Sequence, residues 1–290
     1  MKALTIGMLT FFLISIAGLG FTAEGAGPTI RSAPLSSAPK LDGSGDDWQN
    51  FPAVQVSVKP TAGEDAKNYT GSIKVDVRSG TFGDHMYFFI EWPDDTEDAT
   101  HKTLHWSEEE DGYVTGKDRE DRFILKFDMG GDFRTCMQAG TEYKADIWHW
   151  KAFRSQSAGL AHDKMHIFSF NQIPKAKKHP TVNGKEIWIA RPSDKGDKIY
   201  KSQRPIDNIG DAVPKYIVNK NANGSVVDIK AAAKWANGKW SLELTRKLDT
   251  EHNDDVKFAK GQSYAAALAV FNHTGDNHHS IAPFVLDIAK

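Results

Sequence analysis

Apolar and polar residues alternate with a period of two along most of this chain. The alternation, with turn-forming residues between its segments, covers residues 53–58, 72–77, 85–92, 122–127, 186–190, 226–229, 240–244 and 264–271. A period of two is typical of β-strands that bury one face, and few windows keep the spacing of a helix. The pattern predicts an all-β fold, and many short strands over this length favour an antiparallel two-sheet β-sandwich.

Two long segments interrupt the strand pattern. Residues 93–116 are acidic, and residues 173–214 are rich in Lys, Pro, Gly and Asp. Neither has an apolar core of its own, and strand patterns resume after each, so we interpret both as loop insertions of one domain that spans residues 26–290.

The first residues have the pattern of an export signal. Lys2 is followed by an almost wholly apolar run over residues 3–20, and small residues stand at Ala23 and Gly25. This order predicts a cleaved signal peptide at residues 1–25 and a mature chain in the bacterial periplasm, with an uncleaved membrane anchor as the alternative. No later segment is long and apolar enough to span a membrane.

Charge and cysteine content exclude several classes of protein. The formal net charge is -2, so no strong basic field indicates a nucleic-acid partner. The single cysteine, Cys136, excludes an intramolecular disulfide and leaves three roles open: core residue, intermolecular link or ligand. The chain contains no Cys-x-x-Cys-His, which excludes a haem attached by thioether bonds.

Residues suited to an iron cofactor occur in two segments. Cys136 and Met137 offer sulfur ligands shortly before Trp148 and Trp150, and His278 and His279 offer imidazoles near the C-terminus. Sulfur, imidazole and aromatic rings together suit a non-covalently held haem.

The same residues also have simpler interpretations. Cysteine and methionine are most often core residues, and paired histidines can form a solvated turn. On a strand Trp148 and Trp150 share one face, where they could bind a sugar ring or flank a porphyrin, and His149 faces the other way.

Motifs along most of the chain resemble those of a known family. They are Lys40-Leu41-Asp42-Gly43 followed by Asp47-Trp48, residues 84–94, residues 121–123, and Met137 before the block at residues 146–152. In this order they resemble the haem-binding gamma-subunit family of ethylbenzene dehydrogenase, with similar subunits in dimethyl sulfide dehydrogenase, selenate and chlorate reductases and nitrite oxidoreductase. The opening motif also occurs in carbohydrate-binding sandwich modules, whereas the Trp-His-Trp-Lys-Ala block is more specific.

The resemblance implies a β-sandwich that holds one haem b and performs no chemistry on a substrate. Such a subunit docks on the iron–sulfur subunit of a molybdopterin enzyme and passes electrons to or from an external carrier such as a cytochrome c. In this interpretation Trp148 and Trp150 flank the porphyrin. The basic side chains near the pocket, which could pair with the haem propionates, are Arg134, Lys144, Lys151 and Arg154.

The resemblance also implies the iron ligands. The family uses a methionine before the tryptophan block, which Met137 matches, and a lysine near the C-terminus. Here no lysine follows residue 260 until Lys290, so we expect His279 or His278 in its place, with His279 preferred and Cys136 competing with Met137.

Two other functions remain open from the sequence. One is a secreted carbohydrate-binding module without a cofactor, in which Trp148 and Trp150 form the stacking platform. The other is a haem sensor or carrier with no enzyme partner.

Overall fold

The structure is a computed structural model that describes residues 27–61, 66–276 and 278–290. The predicted signal peptide lies outside these residues. Within them, regular structure consists of β-strands and three short 3-10 helices, Asp46–Trp48, Gln156–Ala158 and Ser225–Val227. The all-β prediction is therefore confirmed.

Most strands belong to two sheets, named here sheet I and sheet II, with strands numbered in chain order. Sheet I has the order β10 (Lys177–Pro180), β11 (Glu186–Ala190), β9 (His162–Ser169), β8 (Tyr143–Lys151), β7 (Arg122–Gly131), β17 (Ser263–Phe271) and β18 (Ser280–Ile288). Sheet II has the order β3 (Ile73–Phe82), β4 (His85–Pro93), β16 (Lys239–Lys247) and β15 (Lys230–Ala236).

Two further strands join the sheets at one side of the sandwich. Strand β2 (Val54–Pro60) pairs with β3 over most of its length and with β18 at its end. Strand β1 (Thr29–Pro34) runs parallel to β18 and then to β3. The other pairings are antiparallel, so β1 is the exception to the predicted antiparallel architecture.

The two long insertions pack against each other and against the sandwich. From the first come β5 (Leu104–Ser107) and β6 (Gly112–Thr115), and β5 pairs with β13 (Ala212–Val213) near the end of the second. Strand β12 (Tyr200–Ser202) pairs with β14 (Tyr216–Val218). Strands β10 and β11, also in the second insertion, extend the edge of sheet I.

The main core lies between sheets I and II. Aromatic rings from the two sheets meet there: Phe88 of sheet II contacts Phe127 and Trp148 of sheet I, with ring centroids 6.1 and 5.7 Å apart. Trp92 likewise contacts Trp150 at 6.0 Å. Burying these large rings provides much of the hydrophobic stabilisation of the sandwich.

Most predicted strands are confirmed, and one is wrong. Residues 226–229 were expected to form a strand, but Ser225–Val227 is a 3-10 helix. Gly224 before it has a φ of 101° and would place a Cβ 2.6 Å from the Cα of Gly196. This close backbone approach turns the chain there, so the apolar pair Val226-Val227 does not continue as a strand.

Within the described residues, no helix has the length and apolar character needed to cross a lipid bilayer.

Replacing Phe127 by alanine tests the core. The ring also contacts Phe258 and Phe284, and deleting it leaves a cavity that the surrounding rings cannot fill. We expect Phe127→Ala to lower the free energy of unfolding by about 3–5 kcal/mol in urea denaturation. Val182→Ala, at a side chain that is 78% exposed, should change it by less than about 0.5 kcal/mol. Equal losses in both variants would contradict this description of the core.

Candidate functional site

A cavity of about 270 Å³ lies on the outer face of sheet I, opposite the main core. Its floor is formed by alternate residues of β7, β8, β9, β17 and β18. The segments that follow β7, β11 and β17 cover it, contributing Thr135, Met137, Arg191, Asp276 and His279. Arg154 after β8 and Tyr200 of β12 complete the lining, so the cavity is built from one face of the sheet and the segments that cover it.

The register of the strands arranges the floor in rows. His162, His149 and Ile124 stand side by side on β9, β8 and β7, and Ala269 of β17 follows. The next row consists of Lys164, Ile147, Lys126 and Ala267. The small alanines on β17 leave space over that strand, with imidazoles and ammonium groups to one side. A flat, partly apolar ligand with acidic substituents fits such a floor.

The imidazoles that line the cavity are neutral at ordinary pH. Burial lowers the pKa values of His149, His162, His166 and His279, most strongly for the first three. Nε2 of His149 and Nδ1 of His166 are buried and have no hydrogen-bond partner among the described residues. Neutral imidazole with a free ring nitrogen is the form that ligates iron.

His279 is held in one orientation. Its ring stacks on Phe271 with centroids 4.8 Å apart, and its Nδ1 lies 3.1 Å from the carbonyl oxygen of Asp276. Because a carbonyl only accepts, Nδ1 donates this hydrogen bond, which leaves the lone pair of Nε2 free. Arg122 binds the Asp276 carboxylate through Nη1 at 2.5 Å and the Thr274 carbonyl through Nη2 at 2.7 Å, which fixes the loop before His279.

Basic side chains outnumber acidic ones around the cavity. Among the described residues the lining contains one carboxylate, Asp276, and the basic residues Arg122, Lys126, Lys151, Arg154, Lys164 and Arg191. Arg122 pairs with Asp276 and Arg154 with Glu120. The remaining excess of positive charge favours an anionic ligand.

Two of these lysines are almost fully buried. Lys126 Nζ donates to the Arg134 carbonyl at 2.5 Å and to the Tyr143 hydroxyl at 2.8 Å, and burial lowers its pKa to about 7. Lys151 Nζ lies 2.8 Å from His162 Nδ1, whose Nε2 lies 2.7 Å from the Ser193 hydroxyl. Burial, and after it the charge of Arg154, lowers the pKa of Lys151 well below its usual value.

The structure brings four of the sequence-predicted residues to this cavity. Met137, His279 and Lys151 all line it, although they are far apart in the sequence. Arg154, also expected near the propionates, lines it too. His278, the neighbour of His279, is not part of the lining.

The other predicted residues lie elsewhere. Trp148 and Trp150 are fully buried in the main core, on the opposite face of β8, and therefore do not flank this cavity. Their burial also leaves no exposed platform for a sugar. Cys136 stands between two lining residues without lining the cavity itself, and its sulfur accepts a hydrogen bond from the Gln138 amide at 3.4 Å.

The expected propionate partners Arg134 and Lys144 are also outside the cavity lining. Arg134 binds Lys126 through its carbonyl oxygen, and its guanidinium donates to Asp132 at 3.0 Å. Lys144 is exposed, and the alternation along β8 places it on the face that carries Trp148 and Trp150, opposite the cavity.

Sequence reasoning missed several imidazoles and basic groups of the lining. They include His149, His162, His166, Arg122 and Lys126. The period of two offered one signal, since it placed His149 on the face opposite Trp148 and Trp150. Strand β9 carries Asp, Lys and two His residues, so its sequence lacks the alternation of apolar and polar positions that predicts a strand. Its imidazoles were therefore not assigned to the site.

The donor set fits a haem. Met137 offers a thioether, His279 and His149 offer neutral imidazoles, and the basic lining offers partners for two carboxylates. A soft sulfur and an imidazole are a common pair of axial ligands in haem proteins that transfer electrons.

Comparison with known proteins gives one family and distant structural similarity. The family model described as ethylbenzene dehydrogenase matches residues 45–281. No curated protein matches the chain.

Two solved structures resemble the chain at low identity. A protein from Bacteroides uniformis described as carbohydrate-binding is 9% identical, with a TM-score of 0.38 over 89% of this chain and 91% of that one. A family 9 carbohydrate-binding module from Caldicellulosiruptor kristjanssonii, in complex with glucose, is 10% identical, with a TM-score of 0.38 over 90% of this chain and 97% of that one.

The depressed pKa of Lys126 predicts a pH effect on stability. Lys126 has a pKa of about 7 in the folded chain and near 10.5 when unfolded, so between these values only the unfolded state binds this proton. Its contribution to the free energy of unfolding therefore rises with pH across that interval, by up to about 1.4 kcal/mol per pH unit.

The change that tests this effect is Lys126→Met, measured by urea denaturation without added ligand. The stability of the wild type relative to this variant should increase from pH 7 to pH 9. Lys144→Met, at an exposed lysine of the neighbouring strand, should show no such trend. The same pH dependence in both variants would refute the buried state of Lys126.

Proposed function

Because the chain belongs to the ethylbenzene dehydrogenase family, we propose that it is the haem b subunit of an oxidoreductase complex. In this proposal it passes electrons between the iron–sulfur subunit of a molybdopterin enzyme and an external carrier such as a cytochrome c. It is exported to the periplasm by the segment at residues 1–25 and has no substrate site of its own.

This proposal rests on the observation that Met137 and His279 line the same cavity. They come from separate segments, one after β7 and one before β18, yet both line the same space over the alanines of β17. His279 presents Nε2 as the free ring nitrogen, because Nδ1 is bound to the Asp276 carbonyl. A hydrogen bond to the second ring nitrogen orients a metal-binding histidine and raises its basicity.

His149 is a competing imidazole that the sequence did not suggest. It lies in the centre of the floor with Nε2 unpartnered, and its ring lies 6.3 Å from that of Phe271, on which His279 also stacks. We assign Met137 and His279 as ligands because both belong to covering segments, which can adjust to the ligand, whereas the backbone of His149 is held in the sheet.

The basic side chains of the lining would bind the propionates of the haem. Arg122 and Lys164 stand along its side and can hold the propionates by charge-assisted hydrogen bonds, and Lys151 can join them by taking up a proton when the anion binds. A haem bound by two protein ligands exchanges single electrons and keeps no open coordination position for a substrate. The thioether, the neutral imidazole and the burial of the site then set the reduction potential.

Pigment extraction tests the cofactor. Since the chain contains no Cys-x-x-Cys-His, acid–ketone treatment of the purified protein should remove the pigment, and its pyridine adduct should have the spectrum of haem b. A colourless protein that gains no haem spectrum on reconstitution would contradict the proposal. Pigment that stays on the polypeptide would contradict non-covalent binding.

Variant spectra test the ligands. Met137→Ala and His279→Ala should each open one coordination position and convert a low-spin spectrum into a partly high-spin one, as measured by absorption and electron paramagnetic resonance. Cys136→Ser and His278→Ala are matched controls at the neighbouring positions and should keep the low-spin spectrum. If His149→Ala loses the low-spin spectrum while His279→Ala keeps it, then the axial imidazole is that of His149 on β8 and the assignment of His279 is wrong.

A further inference from the structure

A second polar cluster lies on the core face of β8 and β9, at one end of the sandwich. Its centre is Arg246 of β16, which is fully buried with its guanidinium over the Trp148 ring. Arg246 Nη1 donates to Asp146 Oδ2 at 2.6 Å and to Asp255 Oδ1 at 2.9 Å. The cluster thus joins sheet I to sheet II through a guanidinium and two carboxylates.

Two further carboxylates of this cluster receive no hydrogen bond. Asp163 of β9 is completely buried, and its nearer oxygen lies 3.9 Å from Arg246 Nη1, beyond hydrogen-bonding distance. Asp194, in the segment after β11, is 7% exposed. Both oxygens of each, together with Oδ1 of Asp146, have no donor among the described residues.

The backbone holds Asp163 and Asp194 next to each other. The Asp194 amide donates to the Asp163 carbonyl at 3.3 Å, and an isolated bridge pairs Ser193 with Lys164. The two carboxyl groups are within reach of a shared hydrogen bond, but two carboxylates can share one only if one of them holds a proton.

Charge in this cluster is not balanced. Asp146, Asp163 and Asp255 surround the single guanidinium of Arg246, and Asp194 adjoins Asp163, so the carboxylates outnumber the cation, and burying an uncompensated carboxylate is costly. Burial, and after it the charges of neighbouring carboxylates, raises the pKa of Asp163 well above its usual value and that of Asp194 to about 8. Either a proton or a cation must neutralise the excess.

We propose that Asp163 and Asp194, with the free oxygen of Asp146, bind a divalent cation of the calcium type. Their unpartnered atoms are all carboxylate oxygens, the ligands preferred by hard cations, and include neither thiolate nor imidazole. Asp194 belongs to a loop, which suits the flexible coordination of calcium better than the strict octahedron of magnesium. This site is independent of the cavity on the other face of sheet I.

Another acidic group nearby offers a contrast. In the first cluster Asp146, Asp163 and Asp255 each place a carboxylate oxygen within 4.8 Å of the others, and Asp228, His252 and Asp255 form a second group of the same size. There His252 Nδ1 already bonds Asp228 Oδ2 at 2.7 Å, and the histidine is 44% exposed, so no buried charge needs a cation. Asp228→Asn is therefore the matched control.

The experiment uses the full purified chain, dialysed against EDTA. Addition of calcium in excess over its dissociation constant should raise the melting temperature by about 5 °C or more, since binding to the folded state alone stabilises it. Terbium should bind with luminescence sensitised by tryptophan, because Trp148 stands opposite Asp163 on the neighbouring strand, and calcium should displace it. Asp194→Asn should lose both responses, and Asp228→Asn should keep them.

The measurements on the wild-type chain test the cation site even if a variant fails to fold. A melting temperature unaffected by calcium and EDTA, with no sensitised terbium emission, would overturn the site and leave a proton shared between Asp163 and Asp194. In that case the stability linked to the proton would be lost as pH rises through about 8, the pKa of Asp194. Retention of both responses in a folded Asp194→Asn variant, or their loss in Asp228→Asn, would also overturn it.

Discussion

The rest of this structure depends on a sheet that is covered on both faces. Sheet I packs one face against sheet II and builds the cavity on the other. Since side chains alternate along a strand, successive residues in the middle of β7 and β8 point in turn to the apolar core and to the polar cavity. A shift of register by one residue would exchange the two, placing His149 in the core and Trp148 in the cavity. The large aromatic core therefore also determines which groups face the cavity.

The same alternation separates charge across β9. His162 and Lys164 face the cavity, and Asp163 between them faces the cluster around Arg246. One face of the strand thus carries an excess of basic groups, and the other face carries an excess of acidic groups. Ion pairing across the sheet is impossible because neighbouring side chains diverge, so each face needs its own counter-charge. An anionic cofactor on one side and a cation on the other would meet that need.

The candidate iron ligands come from covering segments, whereas the basic groups come mainly from strands. Met137 and His279 reach the cavity only because the segments after β7 and β17 fold over the sheet. Arg122 secures one of these segments by binding Asp276 and Thr274, while Lys126 secures the other by binding the carbonyl of Arg134. Two of the basic side chains below the cavity thus hold in place the loops that close it.

Local alternation by itself determined the all-β class, most strands, and the opposite orientations of His149 and the two tryptophans. The sequence also contained the sulfur and imidazole groups, and their order resembled a family. Which face of β8 would be the core was decided only by the packing of sheet II, which took Trp148 and Trp150 and left His149 to the cavity. The roles of His162, His166 and Lys126, and the pairing of Asp163 with Asp194, arise from contacts between distant segments, which a local pattern cannot encode.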